Sequence, residues 1–223
     1  MTRFVQRLLG AALSLFVLAL FATLIAVRPF FYDAVHMPSA AMAPTVAADS
    51  YVVVDKYGFG IATLANMVWR YAAPTRLPIH GDVVIYRAGG AATVGRVLAV
   101  SGDTLSYNNN GSIKLNDVVV QQTTVEDERA QAAGFEIREE ALAGRAWRIR
   151  LRVDGASARP AGRYKVEPGT YFVMGDSRDQ VADSRDTGAV ALRDITAIVI
   201  RTSAIAGSKW PKEQPSWAAD AAK

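Results

Sequence analysis

Cysteine is absent from the 223 residues, which removes several chemistries at once. No disulfide framework, thiol nucleophile, Cys-ligated zinc site or iron–sulfur cluster can be built from this chain. Histidine is nearly absent, with only His36 and His80. Lysine is sparse too: lysine and arginine together number 25, but only residues 56, 114, 165, 209, 212 and 223 are lysines. The neutral imidazoles and amines that serve most hydrolases as bases are therefore few and easily followed. Asp176 and Asp183 lack the spacing of a calcium loop, so neither a metal nor another cofactor is expected. No second apolar run approaches membrane length, which excludes a polytopic transporter.

One long apolar run is present. Leu8–Val27 (LLGAALSLFVLALFATLIAV) holds twenty residues without a charge. A helix of that length spans roughly 30 Å, the hydrocarbon thickness of a bilayer. It exceeds a secretory leader's apolar core, and Arg28-Pro29 closes it where a cleavage site would be wanted. Residues 1–28 are read as one transmembrane anchor. Arg3 and Arg7 precede the span and Arg28 alone follows closely, which places the N-terminus in the cytoplasm and the domain outside. The formal charge is +4, with the basic excess gathered between Arg145 and Lys165. Arg148–Val153 alternates strictly, as a strand with one wet, basic face does. Attraction to anionic lipid is a second reading of it. No aromatic platform accompanies the arginines, and no nucleic-acid partner is expected.

After the anchor the chain reads as short strands separated by turns. Ser50–Asp55, Asp82–Tyr86, Arg96–Val100, Tyr171–Met174 and Ala197–Arg201 are β-branched runs of strand length. Asn110-Gly111 sits between strand-like flanks as a hairpin signal. Residues 60–78 read as a long loop, and Glu126–Ala143 as a short helix or polar insertion. His80 reads as a rim residue. Residues 29–205 read as a mainly β domain, and 206–223 as a polar tail.

Three segments go further. They are His36-Met37-Pro38-Ser39-Ala40-Ala41-Met42; Gly81–Tyr86 continuing to Gly95-Arg96-Val97 and Gly102-Asp103; and Tyr171–Asp179 running on to Asp183-Ser184-Arg185. In this order they resemble the bacterial type I signal peptidases (peptidase family S26), membrane-anchored Ser–Lys endopeptidases. The resemblance implies that family's mainly β domain of antiparallel sheets, with residues 104–166 as a β-rich cap insertion. It also implies a place on the bacterial cytoplasmic membrane with the domain on the periplasmic side. In such enzymes a serine hydroxyl attacks the scissile carbonyl and a buried, neutral lysine takes its proton.

Here the nucleophile position is Ala41, the base position is Gly95, and the hydroxyl that orients the base is replaced by Val181. Arg96 cannot stand in for the base, because a guanidinium stays protonated. The resemblance gives Ser39 an oxyanion-donor role, Met37, Met42, Val46 and Val94 a substrate groove, and Asp183 with Arg185 a bracing role. Core packing is the plainer reading of the four apolar residues. A Ser39–His36 pair stays open, although positions 36 and 39 of an extended chain face opposite sides. The expectation is an inactive, membrane-anchored relative in protein export. Its partners would be the lipid bilayer, signal peptides or exported preproteins, or an active signal peptidase or other secretion component. The alternatives are a peptidase with a non-standard catalytic set and a non-catalytic assembly module.

Overall fold

The computed structural model describes residues 10, 12–23, 32–55, 76–89, 91–154, 160–179 and 182–201. Helix α1 occupies the described residues 12–23. Its Leu13, Phe16, Leu18 and Phe21 are each 64–66% exposed, so this apolar helix buries no face against the domain. No helix among the described residues is long and apolar enough to cross a membrane. The ends of the Leu8–Val27 run lie outside those residues.

The strands that follow are β1 (Tyr32–Met37), β2 (Ser50–Asp55), β3 (Val83–Ala88), β4 (Ala91–Ala99), β5 (Thr104–Tyr107), β6 (Ile113–Leu115) and β7 (Val118–Val119). Next come β8 (Gln121–Val125), helix α2 (Glu128–Ala132), β9 (Phe135–Leu142), β10 (Arg145–Arg152) and β11 (Gly162–Lys165). The domain closes with β12 (Thr170–Met174), helix α3 (Ser184–Thr187), β13 (Val190–Ala191) and β14 (Ile195–Arg201). A seven-stranded sheet runs in the order β1-β2-β14-β3-β4-β12-β13, and every neighbouring pair in it is antiparallel. The strands between β4 and β12 form two smaller sheets, β10-β9-β8 and β11-β5-β6-β7.

Continuous apolar runs mark strands covered on both faces, and β3 is such a case. Val83 and Ile85 join a cluster with Val52, Val54 and Val94, while Val84 and Tyr86 join Val97, Val173 and Ile198. Strand β12 divides likewise. Tyr171 and Val173 serve the second cluster, and Phe172 and Met174 a third that binds the small sheets through Leu105, Trp147, Ile149 and Leu151. The Asn110-Gly111 hairpin forms between β5 and β6, with Gly111 at φ +82° and its N–H donated to Asn108 O at 3.1 Å. A Cβ there would lie 2.3 Å from Leu151 Cδ2, so glycine serves both turn and packing. Glu126–Ala143 becomes α2 followed by the whole of β9. The 60–78 stretch is described only from Arg76 onward.

The turn between β4 and β5 is pinned by one carboxylate. Asp103 accepts the Val100 N–H at 2.9 Å and the Asn116 amide at 2.8 Å, and His80 Nε2 lies 2.7 Å from it. Burial pushes this carboxyl up, but the Val100, Asn116 and His80 contacts outweigh it and hold the group below its ordinary range. A depressed carboxylate contributes stability that is present above its unfolded pKa and lost as pH falls through the folded value. Asp103→Asn therefore flattens the acid limb of a Tm-against-pH profile below about pH 4, where an ordinary aspartate titrates. An unchanged acid limb in the variant refutes this assignment.

Candidate functional site

Three pieces of chain meet here. The turn after β1 carries Ser39, Ala40 and Ala41. The middle of β4 carries Gly95 and Arg96, and the turn after β12 carries Gly175 to Arg178. The Ser177 N–H donates to Ala41 O at 3.0 Å, joining the first and third pieces directly. Arg96 joins the second to the third. Its Nε and Nη2 donate to Asp176 Oδ1 and Oδ2 at 2.8 and 2.6 Å, and Nη1 donates to Gly81 O at 2.8 Å. Thr45 completes the knot by donating to Asp176 while accepting from Arg96. The Asp176 side chain is fully buried and that of Arg96 nearly so, and the guanidinium lies 4.7 Å from the Trp147 ring centroid. A buried bidentate pair of this kind sets geometry, because alternative arrangements would strand a charge.

Ala41 is buried and offers no nucleophilic atom. Its N–H donates to Ser39 Oγ at 3.3 Å, so the Ser39 hydroxyl faces its own turn. His36 Nε2 lies 2.8 Å from Asp49 Oδ1, and its ring packs 5.0 Å from Tyr51. The histidine is thus directed to Asp49. At Gly95 the space for a side chain is already filled. A Cβ would lie 2.5 Å from Val173 Cγ1, 3.3 Å from Met174 O and 3.4 Å from Tyr86 Cε1. Burial, and secondarily the charge of Asp183, push the Tyr86 phenol well above its ordinary pKa, so it stays neutral and gives no base. Val181 lies outside the described residues. Lys114 and Lys165, the lysines among the described residues, are both exposed on the small sheets.

Met37, Met42, Val46 and Val94 come together in one buried cluster with Ala41, where none is more than 8% exposed. In this conformation they are core. Asp183 and Arg185 pair twice, through Nε at 2.9 Å and Nη2 at 2.7 Å. Asp183 also accepts the Gly175 N–H at 3.2 Å, and Arg185 Nη2 donates to Arg178 O at 2.6 Å. Together they hold both ends of the 175–178 turn. Arg178 in turn donates to Glu140 at 2.6 Å from within the core.

Arg150 belongs to the site and escaped the sequence reading. Its Nε donates to Ser177 Oγ at 2.8 Å, Nη2 reaches Ala40 O at 3.4 Å, and its guanidinium lies 4.5 Å from the Phe135 ring centroid. Burial lowers its pKa, yet a guanidinium remains a cation at any working pH. The alternating basic face is thus only partly wet: Arg148 is exposed and Arg152 pairs with Asp154, while Arg150 clamps the Ala40–Ala41 turn. Its alternation in β10 was visible, but nothing in the sequence said that this face turns toward Ala41. Ser177 is buried beneath Arg150 and accepts a hydrogen bond from its guanidinium.

Among the described residues, β12 pairs with β4 at Arg96, Val97 and Ala99, and no strand pairs with that side of β4 from Ala91 to Gly95. An extended peptide can add to such an edge through main-chain hydrogen bonds.

The class is that of an antiparallel β-domain in which the Ala41 turn, the middle of β4 and the 175–178 turn are tied together. The family model described as "Signal peptidase, peptidase S26" matches residues 8–202, and the chain belongs to that family. Among curated proteins it is similar to signal peptidase I of Pseudomonas fluorescens, 30% identical over 161 residues, covering 71% of this chain and 56% of that protein. Signal peptidase I of Pseudomonas aeruginosa is 27% identical over the same shares. The chain thus spans little more than half the length of these two relatives. Signal peptidase I of Aquifex aeolicus is 24% identical, covering 84% of this chain and 82% of that protein. A crystal structure of a signal peptidase I from Enterococcus faecalis matches with a TM-score of 0.35 and 20% identity, covering 56% of this chain and 97% of that one.

Proposed function

We propose that this chain is a non-cleaving member of the family, tethered to the bacterial cytoplasmic membrane by Leu8–Val27 with its β-domain on the outer side. There it holds extended segments of exported proteins. The observation that carries the reading is the state of the two chemical positions: Ala41 bears no hydroxyl, and the space beside Gly95 is occupied by Val173 and Tyr86. The edge of β4 from Ala91 to Gly95 supports a retained binding role, because main-chain pairing needs no catalytic side chain. The apolar run and the exposed faces of Leu13, Phe16 and Phe21 support the tether. With 13 residues between Val27 and Ala41, that edge would stand close to the bilayer.

The test uses the full chain in neutral detergent with a preprotein and with a synthetic signal-sequence peptide. The expected outcome is no cleavage together with saturable peptide binding. Cleavage that Ser39→Ala abolishes would instead establish an enzyme with a non-standard catalytic set. Absence of both cleavage and saturable binding would favour an assembly module.

A further inference from the structure

A concavity that shares Thr45 and Arg96 with the knot around Asp176, but not the Ala41 turn, has no role in that reading. A cavity of about 390 Å³ opens between the Gly81-Asp82 turn, β10 and the end of β14. Arg145, Trp147 and Arg148 line one side, and Val199 and Ile200 form an apolar wall. Gly81 admits this arrangement, since a Cβ there would lie 3.0 Å from Trp147 Cζ3 and 3.1 Å from Arg145 Cδ.

The charges around the cavity do not balance. Asp82 is buried, and its one carboxylate accepts Arg145 Nη1 at 2.8 Å and Arg76 Nη2 at 2.8 and 2.9 Å. Arg96 reaches the same space, but its charge is committed to Asp176. Arg148 is exposed and meets no acidic side chain among the described residues. Arg145 and Arg148 line the cavity and Arg76 reaches Asp82 from outside its lining, so three guanidiniums stand against one carboxylate, an excess of two positive charges beside a concave, partly apolar space. The Arg76 and Arg145 side chains are each 42% exposed, so both remain accessible to a ligand.

We infer that this cavity binds a phosphate group carried on a small organic body. Guanidinium forks match phosphate oxygens in pairs, and a phosphate's charge of up to −2 meets the excess. The volume exceeds what a bare phosphate needs and falls in the range of small-molecule sites. Val199, Ile200 and the Trp147 ring supply apolar contact for the remainder. Ile79, 46% exposed, donates its N–H to Asp82 at 3.0 Å, and Leu77, two residues earlier, is 53% exposed. Such a border suits the acyl side of a phospholipid headgroup as well as a soluble phosphate ester.

The full chain in neutral detergent is titrated calorimetrically with inorganic phosphate, glycerol 3-phosphate, and short-chain phosphatidylglycerol and phosphatidylcholine. Saturable binding is expected, weakened roughly tenfold by Arg148→Gln and by Arg145→Gln, the loss of about one charge-assisted contact. Saturation by phosphatidylglycerol alone identifies a lipid headgroup as the source. Saturation by glycerol 3-phosphate or phosphate identifies a soluble ester. Arg148→Gln removes no described side-chain contact, so it tests binding even if Arg145→Gln disturbs Asp82. No saturation by any of the four at about 1 mM, or binding that neither variant changes, overturns the inference.

Discussion

Installing lysine at the position the family resemblance assigns to the base, Gly95→Lys together with Ala41→Ser, is expected to destabilise the protein and to restore no cleavage. The resemblance invites this repair, because it assigns the nucleophile to position 41 and the base to position 95. The packing opposes it. A Cβ alone would lie 2.5 Å from Val173 Cγ1, and Val173 is fully buried on the neighbouring strand. Its β-branched side chain has few rotamers to retreat into, with Tyr86 also against the same point. Overpacking of this kind costs about 1–3 kcal/mol before any amine is buried. Desolvating the lysine then adds to the cost. Gly95→Ala isolates the first effect. In an ordinary strand that change is neutral or favourable, but here thermal unfolding is expected to fall by roughly 3–10 °C. Val173→Ala in the same chain recovers most of the loss by vacating the space. Gly95→Ala that is as stable as wild type would refute the filled-slot account. Cleavage by the two-site repair, without change at Val173, would refute it equally.

That contrast shows what could be read from residues alone. The absences at Ala41 and Gly95 are chemical facts of single positions, visible once the surrounding boxes are aligned. The filling of the slot is a contact between β4, β3 and β12, and no linear pattern encodes it. Arg150 escaped for the same reason. The strands divide along similar lines. Ser50–Asp55 has uniform β-branched composition and forms β2 with those bounds. Strand β4 begins at Ala91, five residues before the expected start, because Ala-Ala-Thr-Val-Gly has weak intrinsic strand preference and is held by pairing with β3. Strand β9 was obscured by glutamate and alanine, residues that favour helix. It forms between β8 and β10, where Glu140 is buried against Arg178 and Trp147. Tertiary pairing there overrides local propensity. Tyr32–Met37 mixes polar and apolar residues without clean alternation, and it becomes a strand by pairing along the edge of β2.

Asp176→Asn is expected to be the most damaging single substitution in the described domain outside the apolar core. The carboxylate is fully buried, accepts two hydrogen bonds from Arg96 and one from Thr45, and ties the turn after β12 to the middle of β4. An amide keeps the shape but removes the charge, and one of its two terminal atoms becomes a donor aimed at a guanidinium. Arg96 would then sit beside Trp147 as a buried cation without its counter-charge. Breaking a buried pair from one side costs about 3–5 kcal/mol, because the surviving ion cannot regain water. For a chain of this size that lowers Tm by roughly 6–20 °C. The loss should be smaller when both partners go together. Arg96→Met with Asp176→Leu replaces two ions by apolar groups of similar bulk and is expected to recover much of the stability. Thermal unfolding of Arg96→Met, Asp176→Leu and the double variant supplies the cycle. A double variant no more stable than Asp176→Leu would assign the loss to the Thr45 and Gly81 hydrogen bonds instead of the stranded charge.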